Sequence, residues 1–374
     1  MSFKMRPIVL GLAVATAPLA GTAVHAGATI KVDDTKWVSV GAGLRTSFVS
    51  MDEGAPNGKD RSKDFLVENM RLYVNGQIHQ NVKLEFNSER STDSDGDENI
   101  RVLDAVAKFE FSDTVNIWMG RFLPPSDRSN LDGPYYLNTW SFPMPQAYPA
   151  IFAGRDNGVA FWGRINGGQF KYQLGAFEGV DGAPTINPNH IPNPQDNLLY
   201  AARFTANFWD PEPGYYNNST YYGAQDVLAL GLVYQTQGDA AMVNNNTVDF
   251  TGWSVDGLLE KKLAGGGVVN LEFTYYDYEG NPVLGGNDAT GYFTVASYLL
   301  AGETGIGRLQ PIARYQNLDV DRGSETTTWE VGINYVIDGH NARVSAVYSN
   351  METDPPAGPS TDRDQFLVGL QLQI

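Results

Sequence analysis

Nine basic side chains hold alternate positions in segments that otherwise alternate apolar and polar residues: Arg45, Arg71, Lys83, Lys108, Arg164, Lys171, Arg203, Arg314 and Arg343. Fixed guanidinium and ammonium groups on one face attract anions and hold them by charge-assisted hydrogen bonds. Acids share that parity, namely Glu85, Asp104, Glu110, Asp156, Glu272 and Glu330, so a surface built from both sets is mixed. Residues for other chemistry are scarce. The chain has no cysteine, which removes disulfides, thiolate metal sites and c-type haem attachment. The four histidines (His25, His79, His190, His340) are scattered, and no Ser/His/Asp arrangement stands out. Gly265-Gly266-Gly267 sits in a turn and opens no helix, so it cradles no phosphate. The run Asp93 to Glu98 is acidic enough for calcium, but its Gly96 is misplaced for an EF-hand, and a solvated acidic loop is expected. A net charge of −17 argues against nucleic acid as a partner. No metal and no cofactor are expected.

The elements that must position these charges follow from a period of two. In Lys36 to Ser50, Val38, Val40, Ala42, Leu44 and Phe48 fall on one face and Ser39, Gly41, Gly43, Arg45 and Ser47 on the other. Three further segments repeat the pattern around Met70–Val74, Val82–Phe86 and Leu103–Phe109. More strands are expected near 114–122, 156–165, 168–178, 197–208, 227–237, 248–261, 268–278, 291–300, 307–318, 326–337, 342–350 and 364–374, sixteen in all. Short turns alternate with long connections at 51–64, 90–99, 123–154, 179–196, 238–247, 279–290, 319–325 and 351–363. A soluble sandwich would expose a polar face. Here the apolar face carries aromatics near strand ends, and Trp253, Tyr275, Trp329, Tyr335 and Tyr348 read as girdle residues. An even strand count, short turns on one side and longer loops on the other define a transmembrane antiparallel β-barrel.

The two ends agree with export to a membrane. Lys4 and Arg6, an apolar run from Ile8 to Ala15, and Val24-His25-Ala26 have the layout of a signal peptide over 1–26, leaving 27–374 as the barrel. Without 1–26 the chain carries 24 basic and 43 acidic residues, or −19. The final strand places Phe366, Val368, Leu370, Leu372 and Ile374 outward and stops on the strand. It should pair with the first strand, because an open edge in lipid leaves backbone groups unpaired. That ending resembles the assembly signal of bacterial outer-membrane barrels, which usually finish on Phe; here the last residue is Ile374. Acidic loop groups such as Asp52, Glu53 and Asp60 could bridge through divalent cations to lipopolysaccharide phosphates. The third long connection, 123–154, is rich in proline and aromatics, a composition that folds rather than floats, and is expected to narrow the lumen. One connection is odd: 210–226 should be a short periplasmic turn yet is long and aromatic, so either it meets a periplasmic partner or the strand count slips there.

Trp118-Met119-Gly120-Arg121-Phe122-Leu123-Pro124-Pro125 resembles the strand entering the third loop of the phosphate-selective porin O and P family. Gly154-Arg155-Asp156-Asn157-Gly158-Val159 and the segment through Gly179 are similar to that family's exit strand and next hairpin. The resemblance implies a sixteen-stranded barrel in the bacterial outer membrane, a homotrimer and passive solute passage. It also implies anion selectivity, yet the loop carries only Arg128 against Asp127 and Asp132, with no lysine, which puts phosphate in doubt. The expected function is diffusion of small hydrophilic solutes and ions, with an anion preference open. The alternatives are a sheath around a periplasmic electron-carrying partner and an outer-membrane barrel enzyme.

Overall fold

The computed structural model describes residues 27–92, 98–182 and 191–374. The signal segment 1–26, Asp93 to Asp97 of the acidic run, and His190 lie outside the described residues. The strands are β1 (Ala28–Lys31), β2 (Trp37–Met51), β3 (Asp64–His79), β4 (Val82–Thr92), β5 (Glu98–Glu110), β6 (Asn116–Phe122), β7 (Asp156–Ile165), β8 (Phe170–Phe177) and β9 (Leu199–Asn207). They continue as β10 (Val227–Val243), β11 (Asn246–Lys262), β12 (Val268–Asn281), β13 (Asn287–Leu299), β14 (Glu303–Thr304), β15 (Gly307–Val320), β16 (Glu325–Asp338), β17 (Ala342–Asp354) and β18 (Thr361–Gln373). One short helix, α1 (Arg128–Asp132), lies in the third long loop.

Sixteen of these strands form a closed antiparallel barrel, and they coincide with the sixteen read from the sequence. The seam closes as expected: β18 pairs with β2 from Gln365↔Met51 to Gln373↔Gly43, and Ile374 and Ala42 exchange backbone hydrogen bonds of 2.8 Å. Closure satisfies the backbone of both edges, which lipid would otherwise leave unpaired. β1 was not anticipated. It pairs with the start of β2 (Ala28↔Val40 to Lys31↔Trp37), continuing along β2 beyond the point where β18 ends.

Alternation decides which face is wet. In β2, Val38, Val40 and Leu44 are exposed on the outer wall, while Arg45 and Ser47 are buried inside. Trp253 packs on Tyr275 and Trp329 on Tyr348, each at 5.4 Å between ring centroids on the outer surface.

Two readings of the loops need correction. The connection 238–247 is strand over most of its length: β10 runs to Val243 and β11 starts at Asn246. The true turn is Asn244-Asn245, with φ of 49° and 63°, the double left-handed conformation that asparagine tolerates in a two-residue hairpin. A register shift between Gln237 and Ala241 interrupts the alternation that would have revealed the extension. Likewise 279–290 shrinks to the short stretch between β12 and β13. The strand count does not slip at 210–226, since β9 and β10 pair directly from Asn207↔Ala229 to Tyr200↔Thr236. The connection between them turns back into the barrel instead.

Candidate functional site

Two segments fill much of the lumen. The first is the third loop. Asp127 caps α1 by accepting from Ser129 N at 3.0 Å, and the loop then crosses to the far wall. Tyr148 Oη meets Ser254 Oγ at 2.9 Å, Asn138 Nδ2 donates to Asn270 and Ser297 at 2.9 Å each, and Met144 N donates to Gln316 at 3.0 Å. Arg314 donates to Ser141 O at 2.7 Å, Arg343 donates to Leu137 O at 2.8 Å, and Arg45 donates to Trp140 O while its guanidinium lies 4.1 Å from the Trp140 ring centroid. Glycines make the pits for the loop's rings. A Cβ on Gly369 would sit 2.5 Å from Trp140, and one on Gly43 would sit 2.7 Å from Tyr135. The loop is thus clamped to β2, β11, β12, β13, β15, β17 and β18.

The second segment is 208–226, entering from the side of the short turns, which in such barrels is periplasmic. Glu212, fully buried, receives two bonds from Arg128 at 2.5 and 2.7 Å and one from Tyr221 Oη at 2.6 Å. Burial opposes ionisation of Glu212, but the Arg128 guanidinium holds its carboxyl down to about 2. Tyr215 stacks on Trp118 at 4.6 Å and donates to Leu123 O at 3.1 Å. Glu260 of β11 accepts from Thr220 Oγ1, Tyr221 N and Gly223 N at 2.8 to 2.9 Å. Lys171 donates to Asn217. His340, in the turn after β16, touches both segments: Nδ1 lies 3.2 Å from Tyr135 O and Nε2 lies 3.0 Å from Thr220 O.

The charges read from the sequence divide accordingly. Arg45, Arg128, Lys171, Arg203, Arg314, Arg343 and Asp127 are buried against the inward segments. Arg203 makes a two-point ion pair with Asp256, and Arg314 pairs with Glu330 at 2.7 Å. Arg164 lies at the rim, 2.5 Å from the exposed Asp113. Arg71, Lys83, Lys108 and Asp132 border open space.

That space is a row of three cavities along β3, β4 and β5. The outer one, about 380 Å³, is bordered by Arg71, Glu89, Arg90 and Arg155, with Tyr148 and Phe152. The inner one, about 420 Å³, is bordered by Asn75, Lys83, Glu85, Lys108, Glu110 and Trp118. Between them lies a neck of about 40 Å³ bordered by Arg71, Tyr73, Asn87, Asp104, Asp132 and Asn217, room for a few water molecules at most. Successive inward positions give the order: Arg71, Tyr73 and Asn75 descend β3 from outer cavity through neck to inner cavity. Ion pairs line the route, Arg71–Glu89 at 2.5 Å, Arg155–Asp104 at 3.1 Å, Lys108–Glu85, and Lys83–Glu110 at 2.6 Å.

Sequence reasoning missed Arg155, Glu212, Ser219, Glu260 and His340 as functional positions. The length and aromatic content of 210–226 was the available signal for Glu212 and Ser219. Among the described residues no group of three or more His, Asp or Glu side chains is placed to hold a metal ion.

A closed sixteen-strand barrel with apolar girdled outer walls, a polar interior and a loop folded into the lumen defines a porin-type barrel of the bacterial outer membrane. Residues 38–207 match the sequence model of the family described as phosphate-selective porin O and P, a span that contains the segments 118–125 and 154–179 that resemble it. No curated protein matches the chain. Solved structures share the fold. The anion-selective porin from Comamonas acidovorans is 13% identical, with 91% of this chain and 100% of that chain covered and a TM-score of 0.57. The outer membrane channel DcaP of Acinetobacter baumannii is 12% identical, covering 92% and 99%, at 0.59. OmpT of Vibrio cholerae in its trimer form is 14% identical, covering 91% and 100%, at 0.54. The chain thus shares its fold with outer-membrane channels, and part of its sequence matches a porin family model.

Proposed function

We propose that the protein is a diffusion porin for small hydrophilic solutes, with a preference for anions set in its outer cavity. The observation that carries this reading is the row of three charge-lined cavities along β3–β5, left open beside the inward segments. Arg71, Arg90 and Arg155 border the outer cavity together with one acid, Glu89, so an entering anion meets surplus positive charge before the neck. The name of the Comamonas structure is in keeping with this preference. No lysine occurs in 123–154, and phosphate as a specific solute is not part of the reading.

The test is conductance in planar bilayers, with reversal potentials in asymmetric KCl. Single-channel steps with a potential favouring chloride are expected. Absence of conductance under all conditions would overturn the porin reading, and a cation preference would overturn its anion part. A sheath around a guest protein is disfavoured because 123–154 and 208–226 occupy the space the guest would need. We also propose a homotrimer, as in the trimer form of OmpT, checked by mass in detergent. Residues 1–26 are proposed as an export signal, checked by the N-terminal sequence of the protein recovered from membranes.

A further inference from the structure

The neck is closed by contact between the third loop, the segment 208–226 and the wall, and one point joins all three. Ser219 Oγ lies against Asp132 Oδ2 of the loop and 2.9 Å from Glu272 Oε1 of β12. A hydroxyl has one hydrogen to donate. If both carboxyls are ionised, only one of these contacts is a hydrogen bond, and the other sets a lone pair against an anion. A single proton on either carboxyl makes both contacts favourable, one donated by Ser219 and one received by it. Among the described residues neither acid has an ion-pair partner, since Arg128 is engaged by Glu212 and lies 3.9 Å from Asp256. Asp132 is 6% exposed, and its Oδ1 has no hydrogen-bond partner.

We propose that Asp132, Ser219 and Glu272 form a proton-operated latch on the neck, shut while the two carboxyls share one proton and released when both ionise. The proposal rests on the diffusion-porin reading. On release the proton leaves to solvent through the neck, which Asp132 itself borders. Two buried carboxylates then repel across Ser219, and the segment carrying it withdraws. Asn217 and Asn218, which border the neck beside Asp132, withdraw with it, and the passage widens.

The charges facing the pair fix the sign. From the loop come Arg128 and Asp127, from the inner segment Glu212, and from β11 Asp256. Across the neck stand the ion pairs Arg155–Asp104 and Arg71–Glu89, with Lys108–Glu85 beyond them. Arg128, which acts on both carboxyls, is already committed to Glu212. Burial, followed by the neighbouring Glu272, pushes the Asp132 carboxyl well above the usual carboxylate range. Acid therefore closes the neck and alkali opens it.

The experiment is single-channel recording of the full protein across a pH series, beside Asp132→Asn and Glu272→Gln. Heat-modifiable migration on gels shows that each variant is folded, and the two variants report on the same latch from different elements. Wild-type conductance should rise on raising pH. Either amide removes the second ionisation and keeps Ser219 bonded, so that rise should be lost and the low state retained at alkaline pH. Conductance that does not vary with pH in the wild type, or that titrates unchanged in both folded variants, overturns the latch and leaves the porin reading intact. Re-closure of the wild type at alkaline pH by calcium at constant ionic strength overturns it in favour of a bound cation. Absence of conductance at every pH overturns the porin reading itself.

Discussion

The wall of β3–β5 and the wall of β9–β18 carry the same residue types at the same inward parity, and the fates of those residues differ. On the first wall the Lys83–Glu110 pair keeps 32% and 23% of its side-chain surfaces exposed beside the inner cavity. On the second, Arg203 with Asp256 has no exposure at all, and Arg343 is equally buried beneath loop carbonyls. Alternation places a side chain inside the barrel. Whether it then lines a passage or ties down a plug depends on what lies opposite. A solvated pair contributes little to stability and acts on passing ions. A buried pair does the reverse, because removing one partner leaves the other charged and desolvated.

The sharpest way to break this contrast is to remove one acid from a fully buried pair between the inward segments and one from a half-solvated pair on the first wall. Glu212→Ala strands Arg128, whose two shortest bonds end on Glu212. It should cost about 3–5 kcal/mol, seen as a lower unfolding temperature in detergent, and should raise conductance as 208–226 loosens. Glu110→Ala, opposite the half-solvated Lys83, should cost at most about 1 kcal/mol and shift the reversal potential further toward chloride. Equal stability losses in the two variants would erase the distinction between buried and solvated pairs.

The next largest effect comes from the seat of the third loop. Trp140 packs against Gly369, where a Cβ would approach its ring to 2.5 Å. Gly369→Leu should unseat the loop from β18 while β18 still pairs with β2, since Gly369↔Ser47 pairing uses only backbone. A rise in conductance with the barrel still folded is expected, and an unchanged conductance would place the restriction elsewhere. A smaller change belongs to the passage: Arg155→Gln removes one of three cations bordering the outer cavity and should reduce the chloride preference. Asp104, buried beside it, keeps its bond from Asn87 at 2.9 Å but loses its cation, so a loss of stability should accompany the change. A reversal potential identical to wild type would remove the outer cavity from the selectivity argument.

The legibility of the sequence followed the same division. Strands β2–β13 and β15–β18 were readable because each must present an apolar face to lipid, and a period of two records that demand residue by residue. The inward fold of 123–154 was readable from its proline and aromatics. The filling of the lumen by 208–226 was not, because burial there is satisfied by partners far apart in sequence. Glu212 meets Arg128, Thr220 meets Glu260, and Tyr215 meets Trp118. No local pattern encodes such pairings. The same holds for Arg203 and Arg343, whose parity was right and whose exposure was not. β1 escaped notice because four residues are too few for a period to declare itself.

The smallest expected effect sits where the two inward segments are tied together. His340 lies between Tyr136 and Tyr222, with ring centroids at 4.8 and 4.9 Å, and faces a carbonyl of each segment. Burial, aided by the nearby Arg343, pushes its imidazole down from 6.5 to about 4, so the folded protein holds it neutral at pH 7. The unfolded chain takes up its proton first on acidification. The contribution of His340 is therefore fully present above about pH 6.5 and is lost progressively as pH falls toward 4, by about 1–2 kcal/mol between pH 7 and 5. His340→Gln keeps an amide N–H donor for the facing carbonyls but cannot titrate, and its unfolding temperature should fall less than that of the wild type over this range. The direction is opposite to that of Asp132, whose neutral form acid favours, and the readouts differ as well. His340 acts on unfolding temperature and the carboxyl pair on conductance. If His340→Gln instead abolished the pH dependence of conductance, the tie between the segments, rather than the contact at Ser219, would control the neck.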